Sequence, residues 1–105
     1  MAKKLRPLKK QEISKLIKTF PDWKCNTHKT KCSRVFTFQK HIDALIFIAR
    51  ISVNAEIVKH YPEITFTHCK VKIAVWTSQV KALTAKDVIL LKRIEMLYRN
   101  QKVDR

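Results

Sequence analysis

Apolar residues recur along this chain at two different spacings, and each change of spacing marks a new element. Ile13, Leu16 and Ile17 fall on one face of a short amphipathic helix over residues 10–19, and Pro21 then ends that pattern. Alternating runs follow on both sides of a second helical segment, and a third helical segment comes last. The pattern predicts the order α-β-β-α-β-β-α.

The first two strands are predicted on either side of a polar segment, residues 26–30. Aromatic and β-branched residues at 22–25 and 33–38 flank that segment, as in a hairpin. Phe36 and Phe38 share one face because side chains alternate along a strand. We expect both rings to lie in the core.

The segment from Lys40 to His60 has the length and the periodicity of a helix. Phe47, Ile48 and Ile51 widen its apolar face beyond what packing on one side of a sheet requires. This width is consistent with a helix that also faces a second subunit. The main apolar stripe of the helix, which is predicted to face the core, consists of Ile42, Leu45, Ala49, Val53 and Ile57.

After Pro62 the apolar positions change parity. Ile64 and Phe66 have even numbers, whereas Val71 and Ile73 have odd numbers. A shift of one residue turns every side chain to the other face, so a bulge or tight turn is required between about residues 67 and 70.

If this break is a turn, the two strands form an antiparallel hairpin centred near residues 68 and 69. Simple pairing then places Tyr61 opposite residues 76–78, and so brings His60, Tyr61 and Ser78 together. The outer face of the second strand is predicted to present Lys70, Lys72, Ala74 and Trp76.

The last helix is predicted to begin at Thr84 and to run to about Asn100. Thr84 and Asp87 have the spacing of a capping box, in which the two side chains bond reciprocally to backbone N–H groups. The predicted fold is an α+β layer with a four-stranded antiparallel sheet and helices packed on one face. The core-facing residues of this helix are predicted to be Val88, Leu91, Ile94 and Leu97.

Length and composition favour one domain over residues 1–105, with a short basic N-terminal arm and a polar C-terminal tail. Glycine is absent, which excludes a glycine-rich phosphate loop. Three cysteines and no apparent signal peptide favour an intracellular, reducing compartment, either cytoplasm or organelle matrix. Cys25, His28 and Cys32 have residue types that bind zinc, but ordinary cysteines are preferred over zinc or a hairpin disulfide, and no metal site is predicted.

The formal net charge of +15 favours association with polyanions or acidic protein surfaces, although a merely solvated basic surface would have the same composition. The charge is uneven, because residues 1–40 contain 12 Lys or Arg against 2 acidic residues. Trp76 could stack on a base or be buried in an oligomer contact. The candidate polyanion-binding residues are Lys3, Lys4, Arg6, Lys9, Lys10, Lys70, Lys72 and Trp76.

Several segments together resemble the pterin-4a-carbinolamine dehydratases over nearly the whole chain. They are Pro21-Asp22-Trp23, the strand Arg34–Phe38, His60-Tyr61-Pro62-Glu63, and Leu83-Thr84 with Asp87. The resemblance implies the same α+β order, dimers or tetramers, and elimination of water from 4a-hydroxytetrahydropterin, a lyase reaction that recycles tetrahydrobiopterin. It also implies that no metal or organic cofactor is needed. Some relatives act as partners of a transcription factor or as Rubisco assembly factors.

The family's site has a His-His-Pro step and a third His after the long strand, as suits proton transfer near neutral pH. Here the corresponding positions hold His60, Tyr61 and Ser78, so one imidazole remains. The implied pterin pocket is Tyr61, Pro62, Ser78 and Asp87, with His60 as the catalytic residue. His60 could equally cap the helix that precedes it.

Two hypotheses follow. In the first, an eroded active site remains in a basic binding or scaffold module for RNA, an RNA–protein assembly or an acidic protein client. In the second, the protein is an active 4a-hydroxytetrahydropterin dehydratase that relies on His60.

Overall fold

Three helices and four strands form the part of the chain that the computed structural model describes, residues 5–101. The strands lie in the order β1-β2-β4-β3, and each neighbouring pair is antiparallel. The predicted α+β class and element order are therefore confirmed. The elements are α1 (Lys10–Thr19), β1 (Lys24–Cys25), β2 (Cys32–Thr37), α2 (His41–Val58), β3 (Glu63–Thr67), β4 (Lys70–Val75) and α3 (Ala85–Asn100).

The hairpin of β3 and β4 has the register that the parity change predicted. Ile64 pairs with Ile73, and the strands end where Thr67 pairs with Lys70. The turn lies between these last two residues, and His68 in that turn adopts a left-handed backbone conformation (φ 52°). The turn, rather than a bulge, accounts for the change of parity.

The core lies between the sheet and the helices. Phe36 of β2 is fully buried and its ring centroid lies 5.0 Å from that of Phe47 in α2. Phe38 is also buried, as predicted. In α3, Leu91 and Ile94 are fully buried, whereas the other two predicted core positions of that helix are half-buried.

The orientation predicted for α2 was wrong. The helix buries Ala44, Phe47, Ile51 and Ala55 against the core. The predicted core stripe lies on the exposed side, where Val53, for example, is 61% exposed. The helix is apolar around most of its circumference, so periodicity alone did not indicate which face the sheet would cover.

The outer face of β4 differs from the prediction at one position. Lys70 and Lys72 are exposed, but Ala74 is only 2% exposed. Its partners in the neighbouring strands are Ser33 and Glu63. A methyl group in a central strand lies below the longer side chains around it, and these exclude solvent from it.

The expectation of ordinary cysteines was wrong for two of the three. Cys25 and Cys32 pair directly across β1 and β2 and are joined by a disulfide. Cys69 is a free thiol. Because a disulfide forms although the number of cysteines is odd, that number no longer supports a reducing compartment. The compartment itself stays a prediction.

Within residues 5–101, none of the helices combines the length and the apolar character that crossing a bilayer needs.

Candidate functional site

His60 lies immediately after α2 because the helix ends in a left-handed turn. Lys59 has φ 57° and ψ 41°, and its N–H bonds to the carbonyl of Ala55. The His60 N–H bonds to the same carbonyl at 3.2 Å. This closed turn directs the imidazole toward α3, where its side chain is 11% exposed.

Asp87 at the start of α3 holds that imidazole. Its Oδ1 lies 2.6 Å from His60 Nε2, and the Asp87 side chain is fully buried. Its Oδ2 accepts the backbone N–H of Thr84 at 2.9 Å and the hydroxyl of Thr77 at 2.7 Å. Both carboxylate oxygens are therefore satisfied, as a buried carboxylate requires.

The network continues one bond further. Thr84 Oγ1 lies 2.7 Å from Thr77 Oγ1. Since Thr77 gives its proton to Asp87, the Thr84 hydroxyl is the donor in this contact. The capping box predicted for Thr84 and Asp87 is confirmed, and the same carboxylate also bonds His60.

This arrangement determines which nitrogen of His60 can transfer a proton. A carboxylate at Nε2 favours the tautomer that carries its proton on Nε2, which leaves Nδ1 as the acceptor. The charge of Asp87 would also balance that of an imidazolium. The geometry is suitable for general acid–base chemistry, and it serves equally well to connect α2 and α3.

Tyr61 lies beside this network but does not join it in the contacts described for residues 5–101. The residue is 58% exposed. Partial desolvation, together with the nearby Glu56 carboxylate, raises the pKa of the Tyr61 hydroxyl above its ordinary value. Tyr61 therefore remains protonated near neutral pH and can donate a hydrogen bond, but it does not act as a base. Pro62, which follows it, is half-buried.

Ser78 is exposed and lines an open crevice of about 470 Å³, and neither His60 nor Asp87 is among the residues that line it. The other lining residues are Thr30, Lys31, Trp76 and Lys81. The residue that reaches Asp87 is instead the preceding one, Thr77. Of the predicted pocket residues, the structure thus joins His60 to Asp87 directly.

Thr77 is the member of this hydrogen-bond network that the sequence reasoning missed. It follows β4 closely, is fully buried, and forms an isolated bridge with Ala82. Two signals were available in the sequence. Thr77 continues the odd-numbered series of the buried residues Val71, Ile73 and Val75, and it precedes Ser78, which was already a candidate.

The outer sheet surface is defined by the exposed lysines of β4 and their cross-strand neighbours. Lys72 lies between Val35 and Thr65. Lys70 lies between Thr37 and Thr67 in the same way. Positive charge therefore runs along the middle of the sheet between uncharged neighbours.

Trp76 lies beyond the end of β4, and Lys31 already covers one face of its ring. Lys31 Nζ is 4.2 Å from the ring centroid and 3.2 Å from Glu63 Oε1. A cation over an indole is an attractive arrangement. The lysine that holds the ring is therefore itself held by an acidic residue of β3.

The other candidate polyanion-binding residues do not belong to the sheet. Lys9 and Lys10 lie at the start of α1, and Arg6 is paired with Glu12 at 3.1 Å. Lys3 and Lys4 lie outside the described residues.

Comparison with known proteins shows the family. A sequence model described as Pterin 4 alpha carbinolamine dehydratase matches residues 6–97. The chain belongs to the pterin-4a-carbinolamine dehydratase family. Two bacterial relatives named for this dehydratase come from Halorhodospira halophila, 28% identical over 91 residues, and Rubrobacter xylanophilus, 30% identical over 92 residues. Each match covers 87% of this chain and 84% of the relative.

Solved structures share the fold. A Brucella melitensis protein described as a transcriptional coactivator/pterin dehydratase has a TM-score of 0.83, at 19% identity over 89% of this chain and 99% of its own. A pterin dehydratase-like protein identified as a RuBisCO assembly factor in the alpha-carboxysome has a TM-score of 0.65, at 15% identity over 76% of this chain and 93% of its own. At these identities the likeness concerns the fold alone.

Proposed function

We propose that this chain is a basic binding module on the pterin dehydratase fold, and that its outer sheet surface holds the phosphate backbone of a nucleic acid. The observation that carries this proposal is the pair of exposed lysines on the central strand, Lys70 and Lys72. Glu63 is the single acidic residue in the four strands. Lysine and arginine side chains that neutralise backbone phosphates supply most of the sequence-independent affinity for nucleic acids.

The loss of imidazoles supports a binding role over catalysis. Tyr61 is exposed and stays protonated near neutral pH, and Ser78 is exposed in a different crevice. Each missing proton-transfer group typically reduces a rate by roughly 10²–10⁴. A site with Tyr61 and Ser78 in place of two imidazoles would therefore be a weak catalyst.

The test is the salt dependence of binding to a fluorescent single-stranded RNA, with a single-stranded DNA of the same sequence alongside it. Replacing both lysines, Lys70→Gln with Lys72→Gln, should weaken binding and reduce the slope of log K against log salt by about 0.7 for each phosphate that is no longer bound. The matched control is Lys86→Gln with Lys92→Gln, which removes the same charge from α3.

If the α3 control weakens binding as much as the sheet variant, the charge acts diffusely and the proposal is wrong. If neither nucleic acid binds while an acidic polypeptide such as poly-glutamate does, the partner is an acidic protein and the nucleic-acid proposal is also wrong.

A slow dehydratase is the second candidate, and the observation behind it is the contact with Asp87 that orients the His60 imidazole. Purified protein should accelerate the loss of water from 4a-hydroxytetrahydropterin, followed by absorbance in stopped flow. His60→Ala should abolish the acceleration, and Tyr61→Phe should leave most of it. A rate equal to that of buffer at micromolar protein would exclude this function.

Homo-oligomerisation through α2 is part of the proposal. Ile42, Leu45, Val53 and Ile57 are each at least 45% exposed, and they recur at helical spacing on one side of α2. Contiguous apolar surface of this kind is typical of an interface. Val53→Glu should reduce the mass measured by sedimentation, whereas Lys59→Glu, beyond the end of the helix, should not.

A further inference from the structure

Two arginines line a crevice between α2 and α3, on the helical side of the molecule. The crevice has a volume of about 420 Å³. Arg50 and Asn54 come from one helix, and Arg93 comes from the other. The remaining lining residues are Met96, Leu97 and Asn100.

Arg93 is held in place by a neighbouring amide. Its Nη1 donates to Asn54 Oδ1 at 2.9 Å, and the Asn54 amide in turn donates from Nδ2 to the carbonyl of Arg50 at 3.0 Å. The bond from Asn54 to the helix backbone fixes the acceptor, and so restricts the guanidinium. Only one of the several N–H donors of Arg93 is engaged in this contact.

No acidic side chain within residues 5–101 forms an ion pair with the arginines of this crevice. None of the crevice residues is acidic, and none of the ion pairs among residues 5–101 includes Arg50 or Arg93. Arg6 and Arg34, by contrast, each pair with a carboxylate. Two guanidinium groups on one crevice repel each other, and a bound anion would relieve that repulsion.

We propose that this crevice binds a phosphate monoester. The planar fork of arginine matches phosphate oxygens, which it can engage through two parallel hydrogen bonds. A dianion balances the two arginines, and the Asn100 amide offers a further donor. Met96 and Leu97 provide an apolar surface for the group attached to the phosphate. This site is separate from the outer sheet surface, and the proposal does not depend on nucleic-acid binding.

The experiment is calorimetric titration of the full chain with phenyl phosphate, inorganic phosphate and benzoate. We expect phenyl phosphate to bind more tightly than inorganic phosphate, and benzoate to bind least. Arg93→Gln and Arg50→Gln should each weaken phenyl phosphate binding about tenfold or more, as expected on removal of a charged hydrogen bond. Arg93→Lys should weaken it similarly, because a lysine keeps the charge but not the fork.

The matched control is Lys92→Gln, which removes one positive charge from the residue next to Arg93. It should change the affinity by less than about twofold. The double variant Lys70→Gln with Lys72→Gln should also bind phenyl phosphate normally. Arg50 is exposed, so its replacement tests the site even if Arg93→Gln unfolds the chain.

Three results would each overturn the proposal: equal weakening by Lys92→Gln and Arg93→Gln, benzoate binding as tightly as phenyl phosphate, and no binding of phenyl phosphate at millimolar concentration. Equal binding of inorganic phosphate and phenyl phosphate would overturn the monoester assignment and leave a simple anion site.

Discussion

Charged residues on the two faces of the sheet differ in how far they are buried and bonded. On the helical side, Asp87 is fully buried and both of its carboxylate oxygens are bonded. Glu95 there accepts from the indole of Trp23 at 2.8 Å and pairs with Arg34. On the outer side, Lys70 and Lys72 are exposed between uncharged neighbours. Enclosed charges fix the structure, whereas open charges remain available to a partner.

The largest effect expected from this contrast is on stability at Asp87. Asp87→Ala leaves His60, Thr77 and the Thr84 N–H without their acceptor, and should lower the free energy of unfolding by roughly 3–5 kcal/mol. Glu63→Ala, which removes the acidic residue of the outer surface, should cost less than about 1 kcal/mol. Urea denaturation measures both. Similar losses for the two variants would contradict the contrast.

A smaller loss is expected at Arg34. Its Nη1 lies 2.5 Å from Glu95 Oε2, and its guanidinium carbon lies 4.4 Å from the centroid of the Phe36 ring. Arg34→Gln should lower the free energy of unfolding by about 1.5–3 kcal/mol, the range for a hydrogen bond to a charged group. Lys72→Gln is the control on the outer side and should be within about 0.5 kcal/mol of the original. A stable Arg34→Gln variant would show that this pair contributes little.

On the outer side, the expected effect is on binding and not on stability. Glu63→Gln frees Lys31 from its ion pair and removes a negative charge beside Trp76. Affinity for single-stranded RNA should rise by up to about fivefold, the equivalent of one exposed ion pair. The control is Glu56→Gln, an exposed acidic residue of α2. An equal rise for both variants would show that net charge, rather than this surface, controls binding.

The smallest effect concerns an ion pair outside the sheet. The hydrogen bond from Arg6, followed by that from the Lys9 N–H, lowers the pKa of Glu12. A lowered pKa in the folded state contributes stability above the ordinary carboxyl range, and this contribution is lost as the pH falls through the lowered value. Glu12→Gln should therefore reduce the melting temperature slightly at pH 7, and the difference should disappear in acid. A difference that is independent of pH would contradict the assignment.

The sheet could be predicted from the sequence more fully than the helices. In β3 and β4 the alternation has one buried face, so parity determined both the register and the turn near His68. In α2 apolar residues cover most of the circumference, and the sequence therefore could not distinguish the stripe of Val53 from the buried face of Phe47 and Ile51.

The candidate site could be predicted only where its signal is local in the sequence. The local spacing of Thr84 and Asp87 indicated a capping box, which the structure confirms. The contact of Asp87 with His60 joins residues 27 positions apart, and depends on how the end of α2 meets the start of α3. Ordinary cysteines were preferred over a hairpin disulfide, because the sequence alone did not show that the hairpin pairs Cys25 directly with Cys32.

The absence of glycine has a consequence for the turns. Within residues 5–101, a left-handed backbone occurs at Lys29, Lys59, His68 and Lys81. This conformation costs a residue with a side chain on the order of 1 kcal/mol, and glycine would adopt it with less strain. Three of the four are lysines, so part of the chain's positive charge is carried by residues whose backbone conformation is strained. At these three turns, replacement of lysine by glycine would relieve backbone strain and remove a positive charge at the same time, so thermal stability gained there would be accompanied by a loss of basic charge.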